Sequence, residues 1–117
     1  MKALTITTAG GVSVLEIPDG DNLDELQESV GGLIELIRLG SIGCDLWCNE
    51  EGRLLNLPVN NIATALWWRE SIGNGVIIDD ALVGDVIITG GPDANGDTLG
   101  LTDEQVAGLL AFIAERC

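Results

Sequence analysis

The stretch CDLWCNEEGRLLNLP, residues 44–58, holds two apolar runs separated by a short polar segment. The first run, CDLWCN, predicts a β-strand, and RLLNL predicts the strand that returns antiparallel to it. Glu50, Glu51 and Gly52 lie between the runs, and glycine supplies the positive φ that a tight hairpin turn requires. This stretch therefore predicts a β-hairpin in the middle of the chain.

Cys44 and Cys48 belong either to a chemical site or to the core. On a strand their side chains share a face, but their Cα atoms lie about 13 Å apart at about 3.3 Å per residue. A disulfide requires Cα atoms within about 7 Å. A structural zinc site takes four Cys or His ligands, and this chain has three cysteines and no histidine. We therefore expect buried, reduced thiols, with redox or metal use as the alternative.

The first forty residues predict a hairpin, a helix and a strand. Residues 3–8 and 12–17 alternate apolar and polar side chains on either side of a glycine pair, as is typical of a hairpin. Asp21 or Asn22 is placed to cap a helix that carries three apolar residues on one face: Leu23, Leu26 and Val30. Residues 33–39, LIELIRL, are short, bounded by glycines and rich in branched side chains, which predicts a strand.

The second half of the chain predicts two helices and a strand. Asn60 or Asn61 is placed to cap a short helix through residues 62–70. Of two apolar bursts, residues 76–78 and 86–88, the second has the stronger strand pattern. Thr102 and Gln105 fit a capping box for a helix with the apolar stripe Val106, Leu109, Leu110 and Ile113.

These elements predict an α+β fold with a mainly antiparallel sheet of about four to six strands and two or three helices, including a C-terminal helix. The length suits a single domain over residues 1–117. No apolar run approaches the roughly 20 residues that cross a bilayer, and the N-terminus lacks the apolar segment of a signal peptide. We expect a soluble, cytoplasmic protein that does not contact membranes.

The charge balance is strongly acidic. Nineteen Asp and Glu residues face five Lys and Arg residues, which gives a formal net charge of −14. Such a surface repels phosphate backbones and lacks the basic stripe of nucleic-acid-binding proteins, so we expect no direct nucleic-acid binding. The same field attracts basic protein surfaces, including the DNA-binding faces of other proteins. Solubility alone is the alternative explanation for the charge.

The residue types argue against an enzyme. The absence of histidine removes the most common general base and the nucleophile triads that depend on it. No glycine-rich phosphate loop ends in lysine. The adjacent acids Asp79 and Asp80, like Glu50 and Glu51, point to opposite faces if they lie on strands. We therefore expect neither catalysis nor a cofactor.

One segment partly matches a calcium-binding loop. Asp93, Asn95, Asp97 and Glu104 occupy positions 1, 3, 5 and 12 of an EF-hand pattern. Position 6 is Thr98, where the pattern has glycine, and a strand precedes the segment where the pattern has a helix. The alternative is that Asn95-Gly96 forms a turn and Glu104 lies in the first turn of the last helix.

Trp67 and Trp68 stand out because the chain has few aromatic residues. Adjacent side chains on a helix diverge by about 100°, so both cannot face the same core. At least one lies near the surface or in a contact, either as a boundary residue beside a core tryptophan or as a partner-binding hot spot. We take as candidate partner-binding residues the two tryptophans and four acids: Trp67, Trp68, Asp79, Asp80, Glu50 and Glu51.

The order of motifs resembles the uncharacterised domain family numbered 3846. The resemblance rests on an acidic helix ending in VGG, then CNEEGRLLNLPVN, LVGDVIITGG and a final LTDEQ helix. Its most specific positions are Asn49, Gly52, Leu57, Pro58 and Asn60, whereas WWRESIGNG, residues 67–75, departs from the pattern. The resemblance implies a phage or prophage accessory protein and brings no activity or catalytic residues.

We therefore expect an interaction protein that binds a host or phage protein, with a DNA mimic or a modulator of a host factor as concrete versions. A small-ligand-binding or calcium-binding domain is the alternative.

Overall fold

The computed structural model describes residues 1–19, 22–75 and 80–115. Within these ranges the chain forms five strands: β1 Lys2–Ile6, β2 Val12–Glu16, β3 Ile34–Leu39, β4 Cys44–Asn49 and β5 Val86–Gly90. It also forms three α-helices: α1 Leu23–Val30, α2 Asn61–Gly73 and α3 Asp103–Ala114. A short 3-10 turn, Gly40–Ile42, joins β3 to β4. The predicted α+β class is confirmed.

The strands form one antiparallel sheet in the order β2-β1-β5-β4-β3. The opening hairpin is confirmed, with Thr5 opposite Ser13. β5, which comes late in the sequence, inserts between β1 and β4 and is the central strand. β2 and β3 are the two outer strands.

The predicted hairpin of residues 44–57 is wrong in its second strand. CDLWCN is β4, but residues 50–56 form turns. β4 pairs with β3 on one side and β5 on the other, so neither edge is left for RLLNL. Positive φ occurs at Asn56 (53°) and not at Gly52. Gly52 is required for space, because a Cβ there would lie 2.8 Å from Val83 Cγ2.

The sheet buries apolar side chains on both faces. On one face Leu4, Leu46 and Ile88 pack with buried residues of α2 and α3, and on the other Ala3 and Ile87 pack with Leu26 and Val30 of α1. Through these contacts the helices exclude water from both faces of the sheet, and this burial of apolar surface is the main stabilising term for such a layer.

Cys44 and Cys48 are buried free thiols on the α2–α3 face, as predicted. Burial raises the pKa of each thiol to about 11. The thiolate is the reactive form of cysteine, so both groups are poor nucleophiles at neutral pH.

The predicted helix starts are confirmed at α2 and α3. Asn60 caps α2 by accepting from the Ala63 N–H, and Thr102 and Gln105 form the capping box of α3. The predicted stripe of α3 is wrong at Leu110, which is 41% exposed, because the buried positions are Leu109, Phe112 and Ile113.

The start of α1 differs from the prediction. Asn22 is the N-cap residue, but its side chain makes no capping bond. Leu23 is exposed, so only Leu26 and Val30 bury the predicted apolar face. Asp21 and the apolar burst at 76–78 lie outside the described residues.

In the part of the chain that the structure describes, no helix has both the length and the apolar character needed to cross a membrane.

Candidate functional site

A pocket of about 190 Å³ lies beside the outer strand β3, between the sheet, α2 and the segment 80–83. We call it the acidic pocket. Its lining includes Glu35, Cys48, Glu50, Arg53, Trp67 and Asp80. Three of these residues, Glu50, Trp67 and Asp80, are candidate partner-binding residues from the sequence.

Strand register places Glu35 in the pocket. Glu35 lies opposite Cys48, and Ile37 lies opposite Leu46, in the β3–β4 ladder. Residues directly opposite in an antiparallel pair share a face, so Glu35 faces the same side as the buried Cys48 and Leu46. Because β3 is an outer strand, the Glu35 side chain stays exposed at the rim of that face.

Asn49 fixes the loop that carries Glu50 and Arg53. Its Nδ2 donates to the Val30 carbonyl (3.1 Å), and its Oδ1 accepts from the Glu51 N–H (2.8 Å). The Glu50 N–H donates to the Leu33 carbonyl at 2.8 Å and so continues the β3–β4 ladder. Asn49 is buried, so these bonds hold the loop entrance in one position.

The other family-motif positions fasten the loop to the segment 80–84. Gly52 packs closely on Val83, and Leu57 packs on Gly84. The Pro58 carbonyl accepts from the Gly84 N–H at 2.8 Å, and the following Asn60 donates to the Gly84 carbonyl at 3.0 Å. These positions act as turn, packing and cap residues that shape one wall of the pocket.

Asp80 is held in place from two sides. Its carboxylate forms an ion pair with Arg53, whose guanidinium also donates to the Ala81 carbonyl at 2.9 Å. Its backbone carbonyl accepts from Trp68 Nε1 at 2.6 Å. Asp79 lies outside the described residues, and Glu51 is exposed beside the pocket without lining it.

The two tryptophans diverge as predicted. Trp67 is partly buried, packs against the core and presents its indole to the pocket. Trp68 is 43% exposed. The pocket therefore joins one aromatic wall to three carboxylates, Glu35, Glu50 and Asp80, of which Asp80 is paired with Arg53.

The candidate calcium-binding segment, residues 93–97, forms a tight turn. Asp93 Oδ1 accepts from the N–H groups of Asn95 (2.8 Å) and Asp97 (3.0 Å). Gly96 has a φ of 83°, and Glu104 lies in the first turn of α3. Among residues 1–19, 22–75 and 80–115, no three Cys, Asp or Glu side chains are grouped to hold a metal. Calcium binding here stays a prediction.

The candidate site residues chosen from the sequence did not include the pocket residues Glu35 and Arg53 or the buried acid Asp45. Glu35 lies on the same face of β3 as Ile37 and Leu39. An acid among residues that face the core was therefore the sequence feature that could have identified it. Asp45 is buried opposite Arg38, and its position follows from the sequence once β3 is paired with β4. Arg53 reaches Asp80 across 27 residues, and no local pattern indicates that contact.

A family model described as a domain of unknown function, DUF3846, matches residues 1–114. No curated protein and no solved structure matches the chain significantly.

Proposed function

The chain belongs to the family of domain of unknown function 3846, and we propose that it is a non-enzymatic protein-binding module whose acidic pocket receives a cationic side chain of a partner. One observation carries the proposal. The carboxylate-bearing residues Glu35 and Glu50 line the same pocket as the Trp67 indole.

The chemistry of these groups suits a lysine or arginine side chain. In the described part of the chain, neither Glu35 nor Glu50 forms an ion pair, so both carboxylates are available to a partner. The face of an indole attracts a cation, more strongly when the cation is removed from water. A guanidinium or ammonium group between the carboxylates and Trp67 would gain both interactions.

The charge of the whole chain supports the same class of partner. A net charge of −14 steers basic surfaces toward the protein and speeds their encounter with it. We propose a host or phage protein with a basic surface as the partner, bound in the host cytoplasm in a phage or prophage accessory role. Mimicry of DNA is the version in which that basic surface is a DNA-binding face.

The test compares two double variants with equal charge. E35Q/E50Q removes two carboxylates from the pocket, and E28Q/E115Q removes two exposed carboxylates outside it. Both change the formal net charge from −14 to −12. Each tagged protein is incubated with nuclease-treated bacterial lysate, and the captured proteins are quantified by mass spectrometry.

We expect a specific partner whose recovery falls about ten-fold or more with E35Q/E50Q and stays unchanged with E28Q/E115Q, as expected for a contact that loses its charged counterpart. Equal losses with both variants would mean that only overall charge matters. Unchanged recovery with E35Q/E50Q would place the contact elsewhere. Either result overturns the proposal.

A further inference from the structure

Among the residues that the structure describes, no strand or loop pairs with the outer hydrogen-bonding edge of β3. The Glu50 N–H donates to the Leu33 carbonyl, so by alternation Glu35, Ile37 and Leu39 turn their backbone groups toward β4. The Gly91 N–H donates to the Gly43 carbonyl, so every second residue of β4, counted from Gly43, hydrogen-bonds to β5. The residues between them hydrogen-bond to β3, which agrees with the alternation deduced from Glu50. The N–H and C=O groups of Ile34, Leu36 and Arg38 therefore point away from the sheet.

This edge is exposed at two of its three outward-facing residues, Leu36 and Arg38. β3 ends the sheet order, Leu36 is 41% exposed, and the Arg38 side chain is 51% exposed. Free backbone groups on an outer strand form a template for an added strand. β2 ends the other side of the sheet, but the acidic pocket lies beside β3 and none of its lining comes from β2.

We propose that the open edge of β3 binds an extended basic segment of the partner protein as a sixth strand of the sheet. This inference rests on the proposed function of the acidic pocket and defines its ligand. Side chains of an added strand alternate between the two faces. One set would lie beside Glu35 and Ile37 at the pocket, and the other beside Ile34 and Leu36 on the α1 face.

The two faces select different side chains. At the pocket face the neighbours are the Glu35 and Glu50 carboxylates and the Trp67 indole, which favour lysine or arginine. On the α1 face Ile34 and Leu36 favour apolar side chains. The recognised segment therefore alternates cationic and apolar residues over about six positions, the length of β3.

A second copy of this chain fits the edge less well. Two-fold pairing of β3 with itself, centred on Leu36, sets Ile34 opposite Arg38 and brings no cation to the carboxylates of the pocket. Each copy also carries a net charge of −14, so self-association works against strong repulsion.

The test uses two synthetic peptides of equal composition, Lys-Val-Lys-Val-Lys-Val and Lys-Lys-Lys-Val-Val-Val. Their affinities are measured by calorimetry, and the backbone amides of the protein are followed by NMR. The variant Leu36→Pro removes one outward N–H and leaves the β3–β4 ladder, because proline is tolerated where the N–H faces solvent. The alternating peptide with methylated amide nitrogens gives a test that leaves the protein unchanged.

We expect the alternating peptide to bind about ten-fold or more tightly than the block peptide, a difference of ~1.4 kcal/mol. As an added strand, only the alternating peptide places all its lysines on the pocket face and all its valines on the α1 face. Binding should shift the amides of Ile34, Leu36 and Arg38. Leu36→Pro, or methylation of the peptide, should abolish the difference between peptides. E35Q/E50Q should weaken binding of both.

Equal affinities for the two peptides, or unshifted β3 amides at saturation, would overturn strand addition. If E35Q/E50Q still weakened both peptides, the proposed function of the pocket would survive that result. Conversely, if the alternating peptide bound as an added strand and E35Q/E50Q did not weaken its binding, the acidic pocket would not be the site that binds the cation. A dimer detected by light scattering and dissociated by Leu36→Pro would assign the edge to a second copy and overturn the inference.

Discussion

The side chain of Asn60 joins three separate parts of the chain. Its Oδ1 accepts from the Ala63 N–H at the start of α2 (3.1 Å), and its Nδ2 donates to the carbonyls of Ile6 and Gly84 (3.0 Å each). The residue is fully buried. Loss of an N-cap costs ~1 kcal/mol, and each buried group left without a partner costs about 1–3 kcal/mol.

Replacement of Asn60 by alanine should therefore lower the free energy of unfolding by about 2–4 kcal/mol. Urea unfolding followed by tryptophan fluorescence measures this change. Asn61→Ala is the matched control, because Asn61 is exposed at the first position of α2, and it should change stability by less than about 0.5 kcal/mol. Similar losses in the two variants would contradict the cap and bridge role of Asn60.

Local signals of this kind were predictable from the sequence. The caps at Asn60 and Thr102 follow from residue types within one helical turn, so their prediction needs no tertiary contacts. The buried state of Cys44 and Cys48 follows equally from strand parity and the absence of other zinc ligands. The bridge from Asn60 to Ile6 and Gly84 is different, because it depends on the sheet order.

At the scale of elements, the positions of the strands were predicted better than the pairing between them. IELIRL, CDLWCN and RLLNL are all apolar runs beside glycine, and their patterns do not say which two form a hairpin. The pairing is decided by β5, which begins 37 residues after the end of β4 and pairs with the edge of β4 that β3 leaves free. RLLNL is then excluded from the sheet, and Leu54 is left 83% exposed.

The β3–β4 pairing sets Arg38 opposite Asp45, and the two form an ion pair between a half-exposed guanidinium and a buried carboxylate. Arg38 Nε lies 2.5 Å from Asp45 Oδ1, and the side chain of Asp45 is only 3% exposed. Burial raises the pKa of the Asp45 carboxyl, while the charge of Arg38 lowers it by a smaller amount. The folded protein therefore disfavours the charged form of Asp45, even with Arg38 beside it.

We expect the two halves of this pair to respond differently at neutral pH. Arg38→Gln leaves a buried carboxylate without its counter-charge and should cost about 1–3 kcal/mol. Asp45→Asn leaves only an exposed guanidinium, which stays solvated, and should be neutral or stabilising. Urea unfolding of both variants and of R38Q/D45N measures the difference. A greater loss with Asp45→Asn would mean that the ion pair outweighs the burial of the carboxylate.

The pH dependence follows from the same shift. Because the folded pKa of Asp45 is raised above its unfolded value, the folded state binds more protons through that range, and this group's contribution to stability falls as pH rises. The advantage of Asp45→Asn over the natural protein should therefore grow from about pH 3 upward and level off once Asp45 is ionised in both states. A constant difference across that range would contradict a raised pKa.

At the scale of the whole molecule, the composition predicted the sign of the net charge but not the location of the acidic pocket. Glu50, Trp67 and Asp80 were named from the sequence, yet Glu35 and Arg53 join them only through strand pairing and a long-range ion pair. A pocket assembled from β3, β4, α2 and the segment 80–83 has no local signature. Net charge, in contrast, is a sum over residues and needs no fold.

That charge also predicts how stability responds to salt. Nineteen acidic residues face only five basic ones, so repulsive pairs outnumber attractive ones, and exposed ion pairs such as Lys2–Asp103 contribute little. Raising NaCl from about 0.01 M to about 1 M shortens the screening length from about 30 Å to about 3 Å. We expect the melting temperature at pH 7 to rise by a few degrees, since about 1 kcal/mol corresponds to about 4 °C in a domain of this size.

The control for this salt effect is a second pair of melts near the isoelectric point of about 4.1, at low protein concentration. There the net charge is close to zero, and the same salt step should change the melting temperature much less. An equal rise at both pH values would point to a general salt effect on apolar burial. A fall at pH 7 would mean that specific ion pairs, and not the excess of carboxylates, dominate the electrostatics of the fold.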